Sequence, residues 1–168
     1  VLAKQTLLSG PEVFGIVTAC FGAGALAGAL VSATVSRASP RLLVGGVAAF
    51  GLVELLLAPQ SSLAVIGPLL VAAGFAFTLW TSNANASLQL ATPDRLRWRM
   101  MGFYFFAFNG AAPAGGLLAG WLAATGGTAL AFTVGGLACL VVAGGAFLVL
   151  SRAPGRLRPV TAPGTVSA

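Results

Sequence analysis

Long apolar runs separated by short polar gaps make up almost the whole chain. Five runs have about the length a helix needs to cross a bilayer, roughly 20 residues. They cover residues 13–35, 42–58, 63–90, 100–124 and 129–150. The gaps read "SRASPR", "PQSS", "ATPDRLRWR" and "TGGT". Pro40, Pro59 and Pro93 punctuate the first three, because proline ends or begins a helix. Gly126 and Gly127 punctuate the fourth. The pattern predicts an all-α, polytopic membrane protein with five transmembrane helices spanning residues 13–151.

The third gap has a local reading of its own. Thr92 suits an N-cap, Pro93 the first helical position and Asp94 the first turn. A short helix running into the fourth span is expected there. Residues 152–168 are rich in Pro, Arg and Thr, a composition that predicts a disordered tail.

Composition sharpens the membrane reading. The chain is 58% hydrophobic and only 7% charged, with a mean hydropathy of +0.97. Soluble domains sit near 45–50% apolar and about 25% charged. A single soluble core cannot bury this much apolar surface. The 23 glycines suit close helix packing in lipid. Cys20 and Cys139 both lie inside apolar runs and read as small buried side chains. The absence of histidine removes the commonest general base and metal ligand. The start "VLAKQTLLSGPE" does not have the layout of a cleavable signal peptide.

A net charge of +6 and a pI near 11.2 would suggest nucleic acid on a soluble face. Here the charge falls only between apolar runs, so no nucleic-acid partner is expected. Arg37 and Arg41 occupy the first gap, Arg95, Arg97 and Arg99 the third, and Arg152, Arg156 and Arg158 the tail. The second and fourth gaps carry none. Eight of the nine basic residues thus fall on one side of the spans, Lys4 alone on the other. Lys and Arg in short loops stay in the cytoplasm. The expected topology has cytoplasmic first and third gaps, a cytoplasmic C-terminus and an external N-terminus. With Val1 as the opening residue, residues 1–12 read as the end of an earlier helix and an external loop, in a fragment of a longer protein.

Two stretches carry a family resemblance. "GPEVFGIVTACFGAGALAGALVSATVSRASPRLLVGG" resembles the eighth helix, loop and ninth helix of the major facilitator superfamily. "LQLATPDRLRWRMMGFYFFAFNGAAPAGGLLAGWLA" resembles its tenth helix, loop and eleventh helix. The second is similar to the efflux branch that includes enterobactin and macrolide exporters, where the segment often reads T-P-D-x-x-R-G-R-x-x-G. Thr92, Pro93, Asp94, Arg97, Arg99 and Gly102 match that pattern, and Trp98 stands in place of its glycine. In the first stretch Gly28, Arg37 and Arg41 are recognisable, without the aspartate of the superfamily's loop. The resemblance implies the C-terminal bundle of a transporter in a bacterial plasma membrane, with an N-terminal helical bundle as its missing partner.

Polar groups inside a span cost free energy and are candidates for function. The third span holds Thr78, Thr81, Ser82, Asn83, Asn85, Ser87 and Gln89. At 3.6 residues per turn, Ser82, Asn85 and Gln89 share one face; Asn83 and Ser87 lie on another. Ser82, Asn83, Asn85 and Gln89 are candidates for a substrate pathway, with helix–helix hydrogen bonding as the competing role. The resemblance implies that this helix lines the transport cavity. Asn109 lies about 13 Å in from Met100 at 1.5 Å per residue, near mid-bilayer, and joins the set. Tyr104 is expected to line the cavity or sit at the membrane interface, and its place one turn inside the loop favours the interface. Glu54 is the one acid inside a span and a candidate for proton coupling, unless it reaches water at the outer interface.

Arg37, Arg41, Asp94, Arg95, Arg97 and Arg99 are expected to anchor the topology, or to close a cytoplasmic gate against carboxylates of the missing bundle. Gly24 with Gly28, and Gly116 with Gly120, have small-xxx-small spacing, and Pro113 with its glycine neighbours permits a kink. All five read as helix packing positions. The expected function is proton-coupled efflux of a small amphipathic molecule by alternating access. The alternative is a non-transporting module that packs against a partner through glycine-rich faces. A membrane enzyme is disfavoured, since no pair of acids shares a membrane face. Lipid bilayer and small-molecule substrate are the expected partners, with no cofactor and no metal.

Overall fold

The computed structural model of the chain describes residues 11–34 and 39–152. Arg37, residues 1–10 and residues 153–168 lie outside the described residues. Every element described is an α-helix: α1 Pro11–Thr34, α2 Pro40–Leu57, α3 Leu63–Ala91 and α4 Asp94–Arg152. In lipid only a helix satisfies its own backbone groups within one segment, so apolar runs of this length have no other stable form. The starts follow the prolines. Pro40 occupies the first turn of α2 behind an extended Ser39 (φ −128°, ψ 126°), the conformation that a residue before proline favours. Thr92, also extended, ends α3 ahead of Pro93.

The expected count of five helices is corrected to four. The runs 100–124 and 129–150 fall in one continuous helical element of 59 residues, broken only at its two glycines. The gap "TGGT" was expected to hold a loop, but helical geometry runs up to its two glycines from both sides. Only Gly126 (φ −132°, ψ 16°) and Gly127 (φ 77°, ψ 176°) depart from it. Unbroken, α4 would extend about 88 Å, against a hydrocarbon core of about 30 Å. The break divides it into a first arm, residues 94–125, and a second arm, residues 128–152.

Contacts fix the directions. α2 and α3 are antiparallel, with Gly46 against Trp80 and Leu57 against Ile66 and Leu70. The second arm is antiparallel to α2, since Gly136 and Cys139 meet Gly51 while Leu150 and Ser151 lie beside Arg41. The first arm leaves the end of α3 and brings Phe108 back to Phe77 midway along it. The two arms therefore run in opposite directions, and the chain reverses at the glycines. Gly127 occupies a region of φ/ψ that is essentially closed to residues with a Cβ.

Glycines set the closest approaches. A Cβ on Gly24 would collide with the Val71 carbonyl, and one on Gly74 with the Phe21 carbonyl. α1 and α3 thus touch backbone to backbone. Gly51 and Gly136 repeat this between α2 and the second arm, each 2.7–2.8 Å from the other's carbonyl oxygen if given a Cβ. Near the turn between α2 and α3, Leu57, Ile66 and Leu70 form a buried cluster backed by Val17, Cys20, Val53, Leu69 and Phe132.

Much of the remaining apolar surface is bare. Phe103, Phe106 and Leu117 on the first arm are 73%, 80% and 77% exposed. In water such a continuous apolar face would drive association; in a bilayer it meets lipid tails or another helix. All four helices are long and apolar enough to cross a membrane.

Candidate functional site

A cleft of about 210 Å³ lies between α3 and the first arm. α3 contributes Phe77, Thr81, Ser82 and Asn85; the arm contributes Tyr104, Phe105 and Phe108. Helical periodicity accounts for both sets. Phe77, Thr81 and Asn85 follow an i, i+4 stripe with Ser82 beside it, and Tyr104 and Phe108 are one turn apart. The walls are aromatic. Tyr104 stacks on Phe108 at 5.9 Å, and Phe108 lies 6.5 Å from Phe77. Phe77 also meets Phe21 at 5.9 Å, and Phe50 and Trp80 at 5.8 Å, so one ring touches side chains from all four helices.

The polar groups on α3 are differently engaged. The Thr81 hydroxyl donates to the Phe77 carbonyl at 2.8 Å, an intrahelical bond that hides its proton. Gln89 Nε2 donates to Asn85 Oδ1 at 2.7 Å. This fixes the Asn85 amide and leaves its Nδ2 protons for a guest. The Ser82 hydroxyl is held by no other group among the described residues. The cleft therefore offers an amide donor and a hydroxyl on an aromatic floor. That combination suits an amphipathic molecule with an apolar body and one or two polar groups.

The structure brings Ser82, Asn85 and Gln89 together and sets the other two pathway candidates apart. Asn83 faces α2 and is 8% exposed. Its Nδ2 donates to the Ser39 carbonyl at 2.9 Å, and the Ser39 N–H donates to its Oδ1 at 3.0 Å. Asn109 is exposed, and its Nδ2 donates to the Phe105 carbonyl at 2.9 Å. Tyr104, for which the sequence favours an interfacial place over a cavity-lining one, lines the cleft. Thr92 does not cap the following helix as expected: its hydroxyl turns back to the Leu88 carbonyl at 2.6 Å and closes α3.

Glu54 lies elsewhere, between α2 and the second arm. Its Oε2 fills the space left by the missing side chain of Gly135, 2.9 Å from where a Cβ would stand, and has no hydrogen-bond partner. Arg41, Arg95, Arg97, Arg99 and Arg152 gather toward one end of the bundle, at the start of α2 and the two ends of α4. There Asp94 pairs with Arg97 at 2.5 Å. Arg99 borders an open hollow with Gly102, Phe103 and Phe106. Gly24 and Gly28 press against α3, whereas a Cβ on Gly116 or Gly120 would meet nothing within 4 Å. Pro113 lies within the first arm, which continues through it.

The aromatic walls escaped the sequence reading because Phe77, Phe105 and Phe108 look like ordinary apolar residues of a span. Their one signal was position: Phe77 lies two turns before Asn85 on the same stripe, and Phe108 one turn after Tyr104.

Apolar helices with bare outer faces, a glycine-packed interior and a polar cleft within the bundle define a multi-pass membrane protein. The sequence matches the transmembrane secretion effector family, of the major facilitator type, over residues 1–158. The chain belongs to that family and is a membrane transport protein. No curated protein and no solved structure matches it.

Proposed function

We propose that the chain forms the C-terminal bundle of a secondary transporter that exports a small amphipathic molecule, with the cleft at Ser82 and Asn85 as part of the substrate pathway. The observation that carries this reading is the cleft itself, with polar donors on aromatic walls beside a first arm whose outer face is bare. An N-terminal helical bundle packed on that face would complete the pathway, and rocking the two bundles would expose it to each side in turn. Glu54, the one acid within a helix that is not in its first turn, is the candidate proton carrier of a proton-coupled antiporter. The arginine end is the cytoplasmic end and carries the gate, the C-terminus is cytoplasmic, and the membrane is a bacterial plasma membrane.

The test is efflux from vesicles or cells that hold this chain together with an N-terminal bundle, using a fluorescent amphipathic dye. Each hydrogen bond in lipid is worth about 1 kcal/mol, so losing one or two slows efflux about five- to thirtyfold. Asn85→Ala is expected to fall in that range with insertion into the membrane unchanged. Undiminished efflux removes the cleft from the pathway. No efflux with the native chain in any pairing leaves a module that only packs against a partner.

A further inference from the structure

We propose that the groove between the start of α2 and the end of α4 is a binding site for an anionic phospholipid. The groove holds about 520 Å³, well within the range of built small-molecule sites. Val44, Gly45, Phe147 and Leu150 line it with apolar surface, and Arg41 and Ser151 border it. It shares no lining residue with the cleft described above, which lies between α3 and the first arm.

Charge selects the headgroup. Arg41 pairs with no carboxylate among the described residues; the single ion pair there joins Asp94 and Arg97. The nearest acid along α2 is Glu54, 13 positions away, or about 20 Å at 1.5 Å per residue. The first turn of α2 adds the partial positive charge of a helix N-terminus, where backbone N–H groups have no partner within the helix. Pro40 has no N–H, Ser39 N–H is taken by Asn83 and Leu43 N–H by the Ser39 carbonyl, which leaves the Arg41 and Leu42 amides as the first-turn donors with no partner within the helix. The second arm presents its negative C-terminal end at the same place, offset by Arg152 in its last turn. The net field favours an anion.

The walls select a lipid rather than a free anion. A phosphate at Arg41 would leave the surface of Val44, Phe147 and Leu150 uncovered, whereas an acyl chain running down from a glycerol phosphate covers it. Phe147 is 63% exposed, and a Cβ on Gly45 would meet nothing within 4 Å. The groove is thus open along its length to the surrounding bilayer. Basic pockets between membrane helices hold acidic headgroups in this way.

The experiment uses the purified full chain, stripped of lipid in detergent, with native mass spectrometry to count what binds. The probes are phosphatidylglycerol, phosphatidylcholine of the same chain length, and inorganic phosphate. The native chain is expected to retain phosphatidylglycerol in preference to phosphatidylcholine. Arg41→Gln is expected to lower that retention about fivefold, the effect of one basic residue at an anionic surface. Arg41→Lys is expected to keep it, and Arg95→Gln, which removes an equal charge outside the groove, to leave it unchanged. Gly45→Leu fills the groove without touching Arg41 and is expected to lose the lipid; it decides the matter if Arg41→Gln fails to fold by circular dichroism. Equal retention of the two lipids, or equal loss in Arg41→Gln and Arg95→Gln, overturns the proposal. So does inorganic phosphate displacing the lipid, which would mark a simple anion site.

Discussion

Asn83 holds the backbone of Ser39 at both ends of its amide, accepting from the N–H at 3.0 Å and donating to the carbonyl at 2.9 Å. The pair joins positions 44 residues apart and fixes the entrance to α2 against α3. Ser39 precedes the helix, and its carbonyl also accepts from the Leu43 N–H at 3.1 Å, so without Asn83 it is the part-buried Ser39 N–H that loses its partner, at a cost of about 1–3 kcal/mol. Asn83→Leu keeps the volume and removes both bonds. The expected loss is about 1–3 kcal/mol in unfolding by mixed detergent micelles, with the smaller figure if water reaches Ser39. If Asn83 instead serves the substrate pathway, efflux falls while stability holds.

That pair marks the limit of what the sequence revealed. Asn83, Asn85 and Ser82 look alike in a run of polar residues, and periodicity correctly separated the face of Asn83 from that of Ser82 and Asn85. It gave no means of knowing which face meets a neighbouring helix, because that depends on where α2 packs. Helix limits were legible for a physical reason: prolines at positions 40 and 93 leave the chain few choices. α3 was expected at 63–90 and is Leu63–Ala91. "TGGT" predicts a loop because glycines usually end helices. Here two residues suffice to reverse the chain, and helical geometry closes in from both sides.

Two glycines on different helices separate packing from composition. Gly24→Ala places a methyl group against the Val71 carbonyl, so backbone must move. Overpacking of this kind costs about 1–3 kcal/mol. Gly116→Ala meets open space within the chain and gains helix propensity of about 0.5–1 kcal/mol. The first variant is expected to unfold more readily and the second no more readily than the native chain, by thermal melting in detergent. A destabilised Gly116→Ala in a complex with an N-terminal bundle, but not in the chain alone, would place that bundle on the first arm.

Gly127 tests the reversal. Its φ of 77° with ψ of 176° is strained for any L side chain, though a Cβ there would meet no atom within 4 Å. Gly127→Ala therefore acts through the backbone alone, at a cost of about 1–3 kcal/mol. Gly126 has negative φ, and its Cβ would stand 2.5 Å from the end of the Leu130 side chain, which can move aside. Gly126→Ala is expected to be the milder of the two in the same melting experiment. Equal effects would mean that crowding, not the positive φ, limits the turn.

The topology can be read with two cysteines. Gln60 lies in the turn between α2 and α3, and Leu96 in the first turns of α4, beyond the opposite end of α3. α3 has 29 residues and extends about 43 Å, enough to cross the hydrocarbon core. If it spans, the two positions face different compartments. Cys20 and Cys139 are first replaced by alanine to clear the background; both are only partly exposed. Gln60→Cys is expected to react with a membrane-impermeant maleimide in intact cells, and Leu96→Cys only after the cells are opened. The reverse pattern would keep the bundle but turn it over, placing the arginines outside against the preference of short basic loops for the cytoplasm. Labelling of both from one side would mean that α3 does not cross, and the cleft between it and the first arm could not serve as a pathway through the membrane.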